Sequence, residues 1–196
     1  DWAIKIFKAL EPMQAILKVV PLHEAEVVLF YGWSSMIPED IYKNKICLIL
    51  HPSPLPKYRG GSPLQHQIIN GEKTSAVTIL RASEKLDAGN IYSQTEFSLE
   101  GTLDEIFDRI VEIGVQDTLR ILENIEYNPE SLEQDEFKAT TFKRRTPEES
   151  ELTIFDFERL RAEDLYNFIR ALTDPYPNAF IKCKDGKKLY FTGVHL

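Results

Sequence analysis

The 196-residue sequence is short of cysteine, of basic charge and of long apolar runs. Its two cysteines, Cys47 and Cys183, are too few and too far apart for a disulfide framework or a zinc-binding set. Lysine and arginine total 23 against 31 aspartates and glutamates, a formal net charge of −8. That balance argues against a protein that coats nucleic acid, because neutralising phosphates needs a broad basic footprint; a local basic patch stays open. The longest apolar stretches, such as residues 46–50, fall far short of the ~20 residues that span a bilayer. No basic–apolar–small pattern of a signal peptide opens the sequence. What is present is ample core material, 43% hydrophobic and 11% aromatic residues, which excludes a disordered tail or a low-complexity linker. Domains commonly run about 100–200 residues, so one domain with a small appendage is expected. A soluble, cytoplasmic α/β protein follows, with neither a membrane nor a nucleic-acid partner.

Trp2, Ile6, Phe7 and Leu10 recur at helical spacing and predict an amphipathic helix over 2–10. Residues 16–20, 27–31 and 46–50 are short apolar runs without polar alternation, the pattern of buried parallel strands. Pro38 and the residues after it predict a short helix. The run at 46–50 leads into His51-Pro52-Ser53-Pro54-Leu55-Pro56, where three prolines bar both helix and central strand. An ordered loop at a strand's carboxyl end is predicted there. Ser62 as N-cap and Pro63 at the first helical position open a helix that stops at Asn70-Gly71. Residues 76–80 and 91–97 predict two further strands around a loop at 81–90. Thr102 and Glu105 form a capping-box pattern for a helix over 102–125, with Leu103, Ile106, Phe107, Ile110 and Ile113 on one face. The polar stretch 126–150 reads as a linker. A helix over 162–172 follows, then a β-hairpin turning at residues 184–187.

Strands and helices alternate through residue 125, which predicts an α/β body with a mostly parallel sheet and helices on both faces, followed by a small C-terminal helix and hairpin. The predicted division is 1–130 for the main domain, 131–150 for the linker and 151–196 for a small subdomain. Ligands in such sheets sit beyond the carboxyl ends of strands, which points to the loops after Tyr31, Leu50 and Leu80. His51, stiffened by its prolines, suits acid–base work near neutral pH; a structural histidine satisfying nearby carbonyls is the commoner role for a lone one. Asp87, in Leu86-Asp87-Ala88-Gly89, reads equally as a turn aspartate. Cys47 is expected to be a buried inert thiol and Ser53 a turn-stabilising hydroxyl.

Taken together, these segments resemble the folate-dependent formyltransferases. The stretch His51-Pro52-Ser53-Pro54-Leu55-Pro56-Lys57-Tyr58-Arg59-Gly60 resembles that family's catalytic histidine followed by Pro-Ser-Leu-Leu-Pro and Arg-Gly. Leu86-Asp87-Ala88-Gly89 resembles its Leu-Asp-x-Gly catalytic loop, 36 residues after the histidine. Three further stretches look like the sugar N-formyltransferases, enzymes of nucleotide-sugar and lipopolysaccharide O-antigen chemistry. They are Leu29-Phe30-Tyr31-Gly32-Trp33-Ser34, Gly60-Gly61-Ser62-Pro63-Leu64-Gln65, and Lys143-Arg144-Arg145-Thr146-Pro147 with Asp174-Pro175-Tyr176-Pro177 behind it. The methionyl-tRNA formyltransferases share the layout with a larger, basic C-terminal domain, and the acidic balance here disfavours tRNA.

The resemblance implies a Rossmann-like fold, 10-formyltetrahydrofolate as formyl donor, and the amine of a nucleotide-linked, TDP-type amino sugar as acceptor. His51 and Asp87 become the catalytic pair. Trp33, Ser34, Ser35, Met36, Ile37, Leu50, Ser83 and Asp87 become the folate contacts, and no metal is required. Lys57, Arg59, Gly61, Ser62 and Gln65 become the nucleotide-sugar contacts, with Arg144 and Arg145 as weaker ones. A homodimer through the terminal hairpin is open by analogy. One position departs from the family: Ile49 stands where an asparagine usually donates to the formyl oxygen. This keeps another folate enzyme, such as a 10-formyltetrahydrofolate hydrolase, in view. The family's sheet also begins with a strand before its first helix, so a first strand, and a loop near residues 20–24, are expected to be missing from this sequence.

Overall fold

The computed structural model describes residues 2–12, 20–125 and 130–196. Its main body runs α1 (Trp2–Leu10), β1 (Val27–Tyr31), α2 (Glu39–Asn44), β2 (Ile46–His51), β3 (Arg59–Gly60), α3 (Pro63–Ile69), β4 (Thr74–Arg81), β5 (Ile91–Ser98) and α4 (Leu103–Asn124). Period-two alternation along β2 sends Leu48 and Leu50 to one face of the sheet and Cys47, Ile49 and His51 to the other. The first face packs on α1 and α4, where Ile6, Leu10, Leu48, Leu50, Ile79 and Ile106 are buried together. On the second, Cys47 packs with Ile37 and Ala82, and Phe30, Ile41 and Ile49 lie alongside. Helices therefore cover both faces of a Rossmann-like α/β sheet. The capping box at α4 forms as predicted, the Thr102 hydroxyl accepting the Glu105 N–H while the Glu105 carboxylate accepts the Thr102 N–H. Those bonds hold Glu105 below its ordinary carboxylate range.

Within that class the sheet is mixed. Its order is β1-β2-β4-β5; β1 and β2 are parallel, whereas β4 is antiparallel to β2 and β5 to β4. The departure from a mostly parallel sheet follows from the connections. Parallel neighbours need a crossover of a dozen or more residues, and loop 82–90 is too short to supply one. Between β2 and β4, α3 has only seven residues, a rise of about 10 Å, so the chain enters β4 at the end where β2 finishes. The loop after Leu80 therefore leaves from the opposite end of the sheet to the loop after Leu50, with the Ala82 N–H bonded to the Cys47 carbonyl at 2.8 Å.

Two further expectations change, and one lies outside the described residues. Pro63 does open α3, but Ser62 is left-handed, at φ 53° and ψ 42°, and makes no cap; its hydroxyl instead accepts the Arg145 N–H at 3.1 Å. The stretch read as a linker is stitched to the body. A bridge joins Leu132 to Ile91, and β6 (Thr141–Phe142) pairs in parallel with β3. The strand expected at 16–20 falls on residues 16–19, which are not among the described ones. Beyond β6, β7 (Glu151–Leu152), α5 (Ile154–Arg159), α6 (Ala162–Ala171), β8 (Phe180–Lys182) and β9 (Lys188–Tyr190) complete the chain, with the predicted helix and hairpin in place. β7, β8 and β9 make a small sheet. The buried Arg170 guanidinium docks α6 by donating to the Leu99 and Gly101 carbonyls at 2.8 and 3.1 Å.

Candidate active site

His51 is the last residue of β2, and the loop beyond it has lost donors to its prolines. Side chains therefore join the main chain in serving its carbonyls. Gln67 donates to Pro52 O at 2.9 Å, Thr78 to Ser53 O at 2.6 Å, Gln94 to Leu55 O at 2.9 Å, and Ser53 to Lys57 O at 2.9 Å. The last of these gives Ser53 the turn-stabilising part expected of it. The final carbonyl of the series, Tyr58 O, lies 2.8 Å from His51 Nε2. A carbonyl only accepts, so Nε2 carries the proton, and Nδ1 faces the other way.

Nδ1 faces Asp87. The Asp87 carboxylate lies 3.5 Å from it, and each side chain is only 8% exposed. At that distance the hydrogen bond is not yet tight. Asp87 Oδ2 also accepts the Gly60 N–H at 2.8 Å. Asp87 itself sits in the left-handed region, φ 50°. Two loops that leave opposite ends of the sheet are thus brought together, and the pairing read from the sequence is present as a buried contact.

The expected folate contacts divide. Trp33, 57% exposed, stands edge-on to Phe30 at 5.6 Å; Ser34, Ser35 and Met36 are exposed, and Ile37 is buried against Ala82. The 33–37 loop and the start of the 82–87 loop therefore meet on the face of the sheet that carries His51. Leu50 lies differently: its side chain is in the core on the opposite face, so only its main chain borders His51. The Ser83 hydroxyl donates to Lys85 O at 3.0 Å. Ile49 is half-buried, packed between the Cys47 cluster and that of Leu55, Leu80 and Ile91, and offers no donor. Burial pushes the Cys47 thiol up, as suits an inert core residue. Among the described residues no cluster could hold a metal ion, and no helix is long and apolar enough to cross a membrane.

The expected sugar contacts divide as well. Lys57 is exposed, and Gln65 lies on α3, 5% exposed. Arg59 is turned inward, donating to Gln134 Oε1 at 2.8 and 3.1 Å and to Glu136 at 2.8 and 3.1 Å. Gly61 lets the basic stretch approach, since a Cβ there would meet Arg144 N and Cα at 2.4 Å. Arg144 is exposed beside it, whereas the Arg145 guanidinium bonds the Glu149 carbonyl and lies 5.7 Å from the Phe168 ring. Sequence reasoning passed over Gln134, Thr78, Gln94 and Gln67; lone polar residues carry no spacing signal by which to find them.

Arg59 holds the exposed Glu136 carboxyl below its ordinary range, chiefly through their hydrogen bonds. A depressed acid stabilises the fold above its unfolded value, and that contribution fades as pH falls through the folded one. Glu136→Gln is expected to flatten the acid limb of the stability curve slightly, below about pH 5. Thermal unfolding across pH reads it, and a curve parallel to wild type would refute the linkage.

A buried histidine–carboxylate pair on an α/β sheet, beside an aromatic-rimmed loop, is an arrangement capable of acid–base chemistry. The chain belongs to the formyl transferase family, whose model matches residues 7–122. It is similar to the methionyl-tRNA formyltransferase of Ligilactobacillus salivarius (strain UCC118), 32% identical over 95% of this chain and 59% of that protein. It is also similar to that of Lysinibacillus sphaericus (strain C3-41), 35% identical over 90% of this chain and 55% of that protein. The chain thus spans little more than half the length of these relatives. Among solved structures, methionyl-tRNA formyltransferase from Clostridium thermocellum matches with a TM-score of 0.78 at 29% identity, over 97% of this chain and 93% of that one. A sugar N-formyltransferase from Shewanella sp FDAARGOS_354 shares the fold, with a TM-score of 0.73 at 21% identity over 89% and 72% of the two chains.

Proposed function

We propose that this protein transfers a formyl group from 10-formyltetrahydrofolate to the amine of a nucleotide-linked amino sugar. The observation that carries the chemistry is the buried His51–Asp87 pair at 3.5 Å. Bound along the 33–37 and 82–87 loops, the donor supplies a formyl carbon for attack by the acceptor amine and leaves as tetrahydrofolate. The meeting of those loops, with Trp33 and Met36 exposed at the rim, fits a flat pterin. His51 holds a proton at Nε2, and with Asp87 at Nδ1 the ring can take a second as the amine loses one. Asp87 orients the ring from the Nδ1 side. Ile49 supplies nothing to the formyl oxygen, and the proton taken from the amine passes to N10 of the departing tetrahydrofolate.

The acceptor reading rests on the net charge of −8 and on two exposed cations, Lys57 and Arg144, the latter beside Gly61. In this reading 1–130 is the catalytic domain, 131–150 the strap that crosses it and 151–196 a small subdomain of a cytoplasmic protein. Exposed Leu189 and Tyr190 on the edge strand β9 suit a homodimer. The curated relatives favour a second reading, transfer to methionyl-tRNA. One assay separates them: release of tetrahydrofolate from 10-formyltetrahydrofolate with TDP-linked amino sugars, with charged initiator tRNA, and with neither. Turnover only with a sugar is expected. Turnover only with tRNA establishes the second reading, and turnover without acceptor makes the protein a hydrolase.

A further inference from the structure

We propose that Gln134 is a positioning residue for Asp87, gripping the catalytic carboxylate's own backbone from the crossing strap. The inference rests on the reading of His51 and Asp87 as the acid–base pair. An aspartate at φ 50° is in a conformation that non-glycine residues adopt only where their surroundings hold it. Gln134 supplies that hold: its amide donates to Asp87 O at 2.9 Å and to Gly89 O at 2.8 Å. Its own oxygen accepts from Arg59 Nε and Nη2. Arg59 is the neighbour of Gly60, whose N–H binds the Asp87 carboxylate. The bonds close a ring, from the carboxylate through Gly60 and Arg59 to Gln134 and back to the Asp87 carbonyl. An aspartate held at both ends cannot swing from His51 without breaking one of these bonds. Gln134 is 6% exposed, and both amide hydrogens and its oxygen are engaged.

The strap does not depend on Gln134 for its own attachment. Arg59 N–H bonds Thr140 O, Gly61 N–H bonds Phe142 O, Leu132 bridges Ile91, and Glu136 retains the Arg59 guanidinium. Removing the Gln134 amide therefore frees Asp87 while leaving the strap in place. That separation makes a positioning role distinguishable from a structural one. Among the described residues, the partners of the His51 ring are the Tyr58 carbonyl and the Asp87 carboxylate. A drift of Asp87 is then felt at the ring as the loss of its anionic neighbour.

Gln134→Met is of similar length and uncharged. It is expected to lower kcat by about 100-fold with KM for 10-formyltetrahydrofolate within about 3-fold, as misplacement of a catalytic group does. The proton NMR resonances of the His51 ring, recorded at one fixed pH, are expected to shift as the carboxylate leaves Nδ1. In an Asp87→Asn background the same substitution should cost no further kcat, because its effect passes through the carboxylate. A folded variant with wild-type kcat and unmoved His51 resonances would overturn the inference, as would an equal loss in both backgrounds. Absence of formyl transfer by the unmodified protein to any acceptor would instead overturn the reading of the pair, and the His51 ring resonances would still decide the positioning role. If circular dichroism shows the methionine variant unfolded, Gln134→Asn, whose shorter amide cannot span both loops, carries the same expectations.

Discussion

Replacing His51 with asparagine is expected to lower kcat for formyl transfer by about 10²–10⁴-fold, the cost of losing a general acid–base group. The side chain sits where a proton can be held on either ring nitrogen, with Tyr58 O at Nε2 and the Asp87 carboxylate at Nδ1. Asparagine offers an amide of comparable polarity but cannot exchange a proton near neutral pH. The fold should survive, because the pairing of His51 with Thr78 in β2 and β4 belongs to the main chain. A Tyr58 carbonyl left without its donor costs about 1–3 kcal/mol, enough to lower Tm without unfolding the protein. Asp87→Asn should be comparably slow, and the double variant no slower than either single one, since the two residues act as a unit. Tetrahydrofolate release in the presence of an amino sugar measures all three. A His51→Asn enzyme within about 10-fold of wild type would show that the ring is structural.

The pair itself was legible through the resemblance to the formyltransferases, which is carried by short runs of neighbouring residues. A strand running into Pro52, Pro54 and Pro56 places a histidine on stiffened backbone, and Leu86-Asp87-Ala88-Gly89 is recognisable turn chemistry. The capping box at Thr102 was legible from its own spacing, with all its partners within four residues. Strand direction was harder. The apolar run at 76–80 looks alike in a parallel and an antiparallel strand, and only β5 held a hint. From Ile91 to Phe97 its alternate residues, Ile91, Ser93 and Phe97, are buried while Gln94 and Glu96 are exposed, a pattern suited to an antiparallel strand with one solvated face. The strap was illegible. β3 and β6 are two residues each and pair across more than eighty positions of sequence, too little of either to carry a period. Arg59 shows the consequence: the sequence offers an arginine beside a predicted anion site, and the strap's Gln134 and Glu136 turn it inward. Ser62 repeats the lesson, its hydroxyl claimed by Arg145 from the same strap.

Gly89→Ala is expected to damage the site nearly as severely as the loss of His51, through space rather than chemistry. A Cβ at residue 89 would lie 1.8 Å from the Arg81 carbonyl oxygen and 2.9 Å from its carbon. Both sides of that contact are main chain, so no side chain can rotate away. The loop must move by more than about 1 Å, and overpacking of this kind typically costs about 1–3 kcal/mol. The displacement falls on the bonds that define Asp87. Arg81 N–H to Asn90 O at 2.9 Å closes the base of the loop, and Gln134 holds the carbonyls of Gly89 and Asp87. With those bonds strained, the carboxylate leaves its place beside His51, and kcat should fall about 100-fold. Tm should fall with it, because the displaced loop loses those bonds. Gly193→Ala serves as the control, since a Cβ there meets nothing within 4 Å; both its Tm and its kcat should match wild type. If Gly89→Ala retains wild-type kcat while losing stability, the 82–90 loop tolerates displacement, and the catalytic carboxylate is not held as tightly as its hydrogen bonds require.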